Sequence, residues 1–226
     1  GIKQGLASSA KKIDTNGITI GADNRVNSDK MYGIALRFGE DDVEVGSLGT
    51  MIDTDAYSLS LYGTLSSKDI NFLDGILGMS TLKSDHIRKK NSDTLTGKRD
   101  GKQIFSSINL SKLFYKDDFN FNPTARIDFG YTELGAYSET GKNALIYDKH
   151  EILTGTTSIG MLFNNINQFK KGITLKKIGR LEYSADFSPS SDVNLSYISD
   201  PATDYTFTVG NEATHNLRAG LGFDLS

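Results

Sequence analysis

The chain has 226 residues, room for one large β domain or two small ones, and its 25 Lys and Arg face 28 Asp and Glu for a net charge of −3. That balance demands no basic face, so no nucleic-acid partner is expected. The absence of cysteine excludes disulfide frameworks and thiolate metal sites. A mean hydropathy of −0.35, with no apolar run of the ~18 residues a spanning helix needs, excludes transmembrane helices.

What remains is a period of two, the signature of β-strands. Strands are expected over 13–26, 30–39, 53–66, 69–82, 102–115, 118–133, 150–164, 173–187, 192–198, 204–210 and 213–225. In the first, Ile18, Ile20 and Ala22 oppose Asp23 and Arg25. In the second, Tyr32, Ile34, Leu36 and Phe38 alternate with Gly33, Ala35 and Arg37. Further on, Ala125, Ile127, Phe129 and Tyr131 oppose Thr124, Arg126, Asp128 and Gly130. Leu181, Tyr183, Ala185 and Phe187 then oppose Arg180, Glu182, Ser184 and Asp186. The chain closes with Leu217, Ala219, Leu221, Phe223 and Leu225 between Arg218, Gly220, Gly222 and Asp224.

One face is greasy and the other carries ions, hydroxyls and glycine. Three charges on one strand face cannot enter a sandwich core without heavy desolvation. They can face a wet lumen, with the apolar face on lipid. Strands such as 13–26 and 173–187 exceed the ~5–6 residues of an ordinary strand and cover the ~9–11 that a tilted membrane strand needs. Polar turns at Asn27–Asp29, Ser67–Asp69 and Lys116–Asp118 alternate with longer loops at 40–52, 83–101 and 134–149. Membrane barrels sort their connections this way. With only 3 Pro, the ladders can run uninterrupted; with no Trp, 10 Tyr and 12 Phe must supply an interfacial girdle. A soluble antiparallel sheet with one solvated face also alternates, so a soluble β-sandwich adhesion module stays open as an alternative.

Nothing points to catalysis, a cofactor or a metal: there is no Gly-x-Ser-x-Gly elbow and no His-Glu-x-x-His. His86 lies in a charged stretch expected to be an exposed loop, and His150 and His215 lie near strand starts. The basic run Arg88-Lys89-Lys90, with Lys98 and Arg99, reads as a solvated loop. Small residues such as Gly33 and Gly220 are expected to leave room inside the pore.

Several short segments stand out in chain order. They are Gly21-Ala22-Asp23, then the tight turn into Tyr32-Gly33-Ile34-Ala35-Leu36. Asn122-Pro123-Thr124-Ala125-Arg126-Ile127-Asp128-Phe129-Gly130-Tyr131 follows, with Glu133-Leu134-Gly135-Ala136 behind it. Leu181-Glu182-Tyr183, Phe207-Thr208-Val209-Gly210 and Leu217-Arg218-Ala219-Gly220-Leu221 complete the order. In this order they resemble the autotransporter β-domain family, and the resemblance implies an all-β, antiparallel up-and-down transmembrane β-barrel of twelve strands, with a helix threaded through its pore. It implies a bacterial outer-membrane translocator that anchors and exports its own N-terminal passenger, helped by the barrel-insertion machinery. The alternative within that membrane is a pore or structural barrel without a passenger. The start at Gly1 and the end at Phe223-Asp224-Leu225-Ser226 suit a trimmed barrel spanning 1–226, short of strands at both ends, with Gly1–Ala10 a remnant of the first. Asp23, Arg25, Arg37, Asp128, Glu182 and Arg218 are the residues expected to face the lumen, hydrate it and grip the central helix.

Overall fold

The computed structural model describes residues 11–45, 49–67, 71–90, 93–116, 119–168, 174–210 and 214–225. Gly1–Ala10, the centres of the turns at Ser67–Asp69 and Lys116–Asp118, and Ser226 lie outside the described residues.

Fourteen strands are described: β1 (Lys11–Asn27), β2 (Lys30–Val45), β3 (Thr50–Leu65), β4 (Phe72–Lys90), β5 (Asp93–Ser111), β6 (Phe114–Lys116), β7 (Phe119–Leu134), β8 (Tyr137–Ser138), β9 (Leu145–Tyr147), β10 (His150–Gln168), β11 (Thr174–Asp186), β12 (Ser191–Tyr197), β13 (Asp200–Val209) and β14 (His215–Leu225). The main sheet is antiparallel throughout, in the order β1-β2-β3-β4-β5-β7-β10-β11-β14, with β6 also on β7. Each long strand therefore neighbours the next in sequence, the up-and-down arrangement that alternation predicted. No helix among the described residues is long and apolar enough to cross a membrane, which says nothing of crossing by strands.

β5 and β6 are one strand with a gap. Both hold the same register on β7, from Gly101↔Leu134 through Phe114↔Phe121. At the gap Lys112 N donates to Pro123 O at 3.2 Å. Pro123 has no N–H to return the second bond, so the ladder breaks for two residues.

The strands are longer than the alternation suggested. The loop expected at 40–52 is mostly the ends of β2 and β3, and the loop at 83–101 is the β4–β5 hairpin, paired as far as Lys90↔Asp93. The loop at 134–149 holds β8 and β9. The strands expected at 192–198 and 204–210 are present. They are β12 and β13 of a second sheet, in the order β13-β12-β9-β8. This second sheet is nonetheless the wall prolonged. Leu134↔His150 and Tyr137↔Tyr147 keep one register, as do Thr156↔Asp186 with Leu195↔Tyr147, and Ala185↔His215 with Ser196↔Asp204. Four wall strands thus rise past short unpaired breaks into a rim.

The burial of the wall is the reverse of a soluble protein's. On one face Ile18, Phe38 and Tyr57 lie side by side, and so do Ile20, Leu36, Leu59, Met79, Ile104, Tyr131 and Leu153. Most of these residues are open: Ile18 is 68% exposed and Met79 60%. The opposite face buries Ser60, Ser80 and Ser158. Crowded small polar residues mark that face as concave, hence inner. A large apolar side chain left in water forgoes about 1.5–3 kcal/mol, so the outer face suits lipid. Aromatic clusters border it: Phe114, Phe119, Phe121 and Phe163 near the tight turns, with Phe114 stacked on Phe121 at 4.7 Å, and Phe38–Tyr57 and Phe129–Phe187 pairs towards the rim. They form the girdle that the missing Trp left to Phe and Tyr.

Candidate functional site

The inner face of the wall is a set of polar rungs. Asp23, Gly33, Tyr62, Ile76, Ser107, Asp128, Thr156 and Asp186 lie successively opposite one another from β1 to β11. The next rung towards the turns carries Thr64, Asp74, Asn109, Arg126, Ser158 and Ser184. All six residues picked from the sequence fall on this one face, because strand parity places them there.

They do not form one cluster. Asp23 accepts the Tyr62 hydroxyl at 3.3 Å. Arg37 lies opposite Ser58, and Arg25 stands one step from the β1–β2 turn. Asp128 accepts from Arg126 Nε at 2.9 Å and Thr156 Oγ1 at 3.2 Å. Glu182 pairs with Arg180 at 2.6 Å and Arg218 at 3.6 Å. Arg126, Arg180 and Glu182 with Asn109, Thr124 and Ser158 surround a recess of about 340 Å³. Asp74, which takes Thr64 Oγ1 at 2.8 Å and Asn109 Nδ2 at 3.2 Å, escaped the sequence reading because its strand is so glycine-rich. Its parity relative to Leu73 and Leu77 was the available signal.

The two glycines expected to leave room differ in what surrounds them. A Cβ on Gly220 would meet nothing within 4 Å. A Cβ on Gly33 would lie 2.4 Å from Tyr62 Cζ. Gly33 is absent of side chain so that Tyr62 can cross over it to Asp23, and the space is filled.

Above the lipid-facing belt the two faces exchange character. Asp14, Asp42, Asp53, Asp85 and Lys98 lie side by side on the outer face. Like charges abreast repel, but Asp14 pairs with Lys12 at 2.8 Å and Asp85 with Lys98 at 3.1 Å, while Asp53 Oδ1 is enclosed without a hydrogen-bond partner. Ile13, Val43, Ile52, His86 and Gly97 line the inner face at the neighbouring level. There Tyr137 lies over Gly97, where a Cβ would meet its ring at 2.6 Å, and stacks on His86 at 4.9 Å and on Tyr147 at 4.7 Å.

His86 is therefore not an exposed loop residue. It is half-buried in β4, and its Nε2 is enclosed without a hydrogen-bond partner. The basic run is not simply solvated either. Arg88 reaches across β5 to Glu139, with Nε–Oε1 at 2.7 Å, and Glu139 also accepts from Leu145 N at 3.0 Å. Arg99 is buried, donating to Gly135 O at 2.7 Å and Asp148 O at 3.0 Å, with its guanidinium 5.3 Å from the Tyr137 ring. His150 Nε2 meets Ser191 Oγ at 3.0 Å. Burial, then the Arg99 charge, holds both His86 and His150 below the usual imidazole range. Burial pushes Tyr137 and Tyr147 up. His215 is exposed and bonds Tyr183 at 2.7 Å. The buried apolar residues of the described structure, Leu95, Ala144 and Leu145, all sit in this rim.

No curated protein matches the chain in sequence. Its fold is similar to the translocator domain of the autotransporter NalP from Neisseria meningitidis, with a TM-score of 0.63 at 13% identity over 94% of this chain and 80% of that one. It is also similar to the β domain of the Bordetella autotransporter BrkA, with a TM-score of 0.59 at 12% identity over 94% of this chain and 92% of that one. The family model for the autotransporter β-domain matches residues 3–226. Lipid-facing belt, polar inner wall and family match agree: the chain belongs to the autotransporter β-domain family, the β-barrel translocators of the Gram-negative outer membrane.

Proposed function

We propose that this domain anchors a passenger segment linked upstream of it and lets that segment pass along its inner wall to the cell surface. The observation that carries the reading is the continuous set of polar rungs beneath an uninterrupted apolar belt. A polypeptide crossing in extended or helical form needs a hydrated path whose groups exchange hydrogen bonds readily. Arg37, Asp128, Glu182 and Arg218, with Asp23 and Arg25, supply charges of both signs along it. They are suited to hold a helical segment by many weak contacts rather than one tight site. The tight turns then face the periplasm and the rim faces outward. Outer-membrane lipid surrounds the belt, and the barrel-insertion machinery delivers the chain there. The work is passive, and no residue has a catalytic role. Residues 1–226 act as one barrel unit.

The test is surface display of the passenger in the full-length protein, read by protease shaving of intact cells. Gly220→Phe, which fills open inner space, should slow display several-fold while the barrel still shows its heat-modifiable gel shift. Charge reversal at Arg218 should do the same. Folded variants that display the passenger at the wild-type rate would overturn the reading.

A further inference from the structure

The rim hairpin built by β8 and β9 is held by groups that the translocation reading does not use. Its turn wraps Leu95, which is 1% exposed, and a Cβ on Gly141 would lie 3.6 Å from Leu95 Cγ. The Arg88–Glu139 pair closes one side. Thr96 and Thr140 exchange backbone hydrogen bonds at 2.8 and 3.3 Å, and their hydroxyls meet at 2.9 Å. Two imidazoles complete the attachment. His86 stacks on Tyr137 of β8, and His150, at the foot of β10, bonds Ser191 of β12.

We propose that this attachment is an acid-sensitive latch: protonation of His86 frees the β8–β9 hairpin from the β4–β5 wall, and protonation of His150 loosens β12 from β10 beside it.

The groups facing each imidazole support this. Around His86 stand Tyr137 from β8, Arg99 from β5 and, on its own strand, Asp85 and Arg88. Glu139 is also near, but its carboxylate is already shared between Arg88 and Leu145 N. Asp85 lies on the opposite face and pairs with Lys98 at 3.1 Å. A second N–H on His86 would therefore point at enclosed space without an acceptor, beside a buried guanidinium that is committed to two carbonyls. His150 faces Ser191 and the same Arg99. Two new cations around one buried cation are tolerated only if water enters, and water enters only if the hairpin lifts.

The direction follows from proton linkage. Both imidazoles hold fewer protons latched than free, because burial depresses their affinity. The latched state is thus fully favoured above the free imidazole value near 6.5 and loses ground as pH falls below it. Each imidazole shifts the open-to-latched ratio by up to about tenfold per pH unit in that window.

The test uses the full-length protein in outer-membrane vesicles, on a cysteine-free background. Spin labels go on Lys142→Cys, in the hairpin turn, and Lys102→Cys, on the wall. Pulsed electron resonance should give one distance at pH 7.5 and a second, longer one that grows between pH 6.5 and 5. His86→Phe with His150→Gln keeps the stack and the Ser191 contact without a titrating ring, and should stay latched to pH 5. A heat-modifiable gel shift confirms that both proteins are folded. A wild-type distance that does not change, or a double variant that opens at the same pH as wild type, would overturn the latch. Passenger display at neutral pH is independent of it, so the two readings fail separately.

Discussion

The belt and the rim share strands and register yet obey opposite rules. In the belt, Leu36, Leu59 and Met79 face out and Ser58, Ser60 and Ser80 face in. In the rim, Asp42, Asp53 and Asp85 face out while Val43, Ile52 and His86 face in. One continuous strand such as β3 therefore changes which side is apolar partway along its length. The lesson is that the solvent, not the ladder, decides the pattern. Where lipid lies outside, apolar side chains go out, and where water lies outside they go in.

Substitutions at matched positions separate the two regimes. Leu59→Arg places a charge on the lipid face of the wall and should cost about 2–4 kcal/mol of barrel stability, read by urea unfolding in detergent or lipid vesicles. Ser138→Arg on the outer face of the rim should stay within about 0.5 kcal/mol. Equal effects would erase the distinction.

The rim has its own breaking point. Glu139→Ala leaves the Arg88 guanidinium, only 26% exposed, without its partner. The rim should lose about 2–3 kcal/mol, seen as faster hydrogen exchange at Leu145 N, with exchange in β3 and β4 unchanged. If the whole barrel loosened together, belt and rim would be a single cooperative unit.

Inside the wall, Gly33→Phe collides with Tyr62 and should destabilise the barrel by about 1–3 kcal/mol, whereas Gly220→Phe should leave stability untouched and act on display alone. Tyr62→Phe removes only the hydrogen bond to Asp23 and should cost about 0.5–1.5 kcal/mol. A larger loss would mean that the lumen is drier at this level than the rungs suggest.

The same reversal explains what the sequence disclosed. Strands β1, β2, β7, β11 and β14 were legible because their belt segments keep one apolar parity long enough to register. The hairpin from Lys83 to Gly101 was not, because its apolar parity is lost. Lys83, Asp85 and Lys98 take the outward positions that Met79 and Ile104 hold below, and a scan for one greasy face stops there. Parity alone puts all six lumen candidates on one face of the wall. It could not show that Tyr62 fills the space over Gly33, or that Glu139 answers Arg88 from 51 residues away. Those are contacts across neighbouring strands, and a period of two carries no information about which residues meet sideways. β12 and β13 were legible as strands, but nothing local distinguishes a wall strand from its continuation above a break.

That continuation in register has a mechanical consequence. A pull on the rim is directed along the strand axes. The ladder from Thr156↔Asp186 to Gln168↔Thr174 then bears the load in parallel, by shear, rather than peeling open pair by pair. A strand pulled at the rim is thereby gripped along the direction in which a β-ladder resists most.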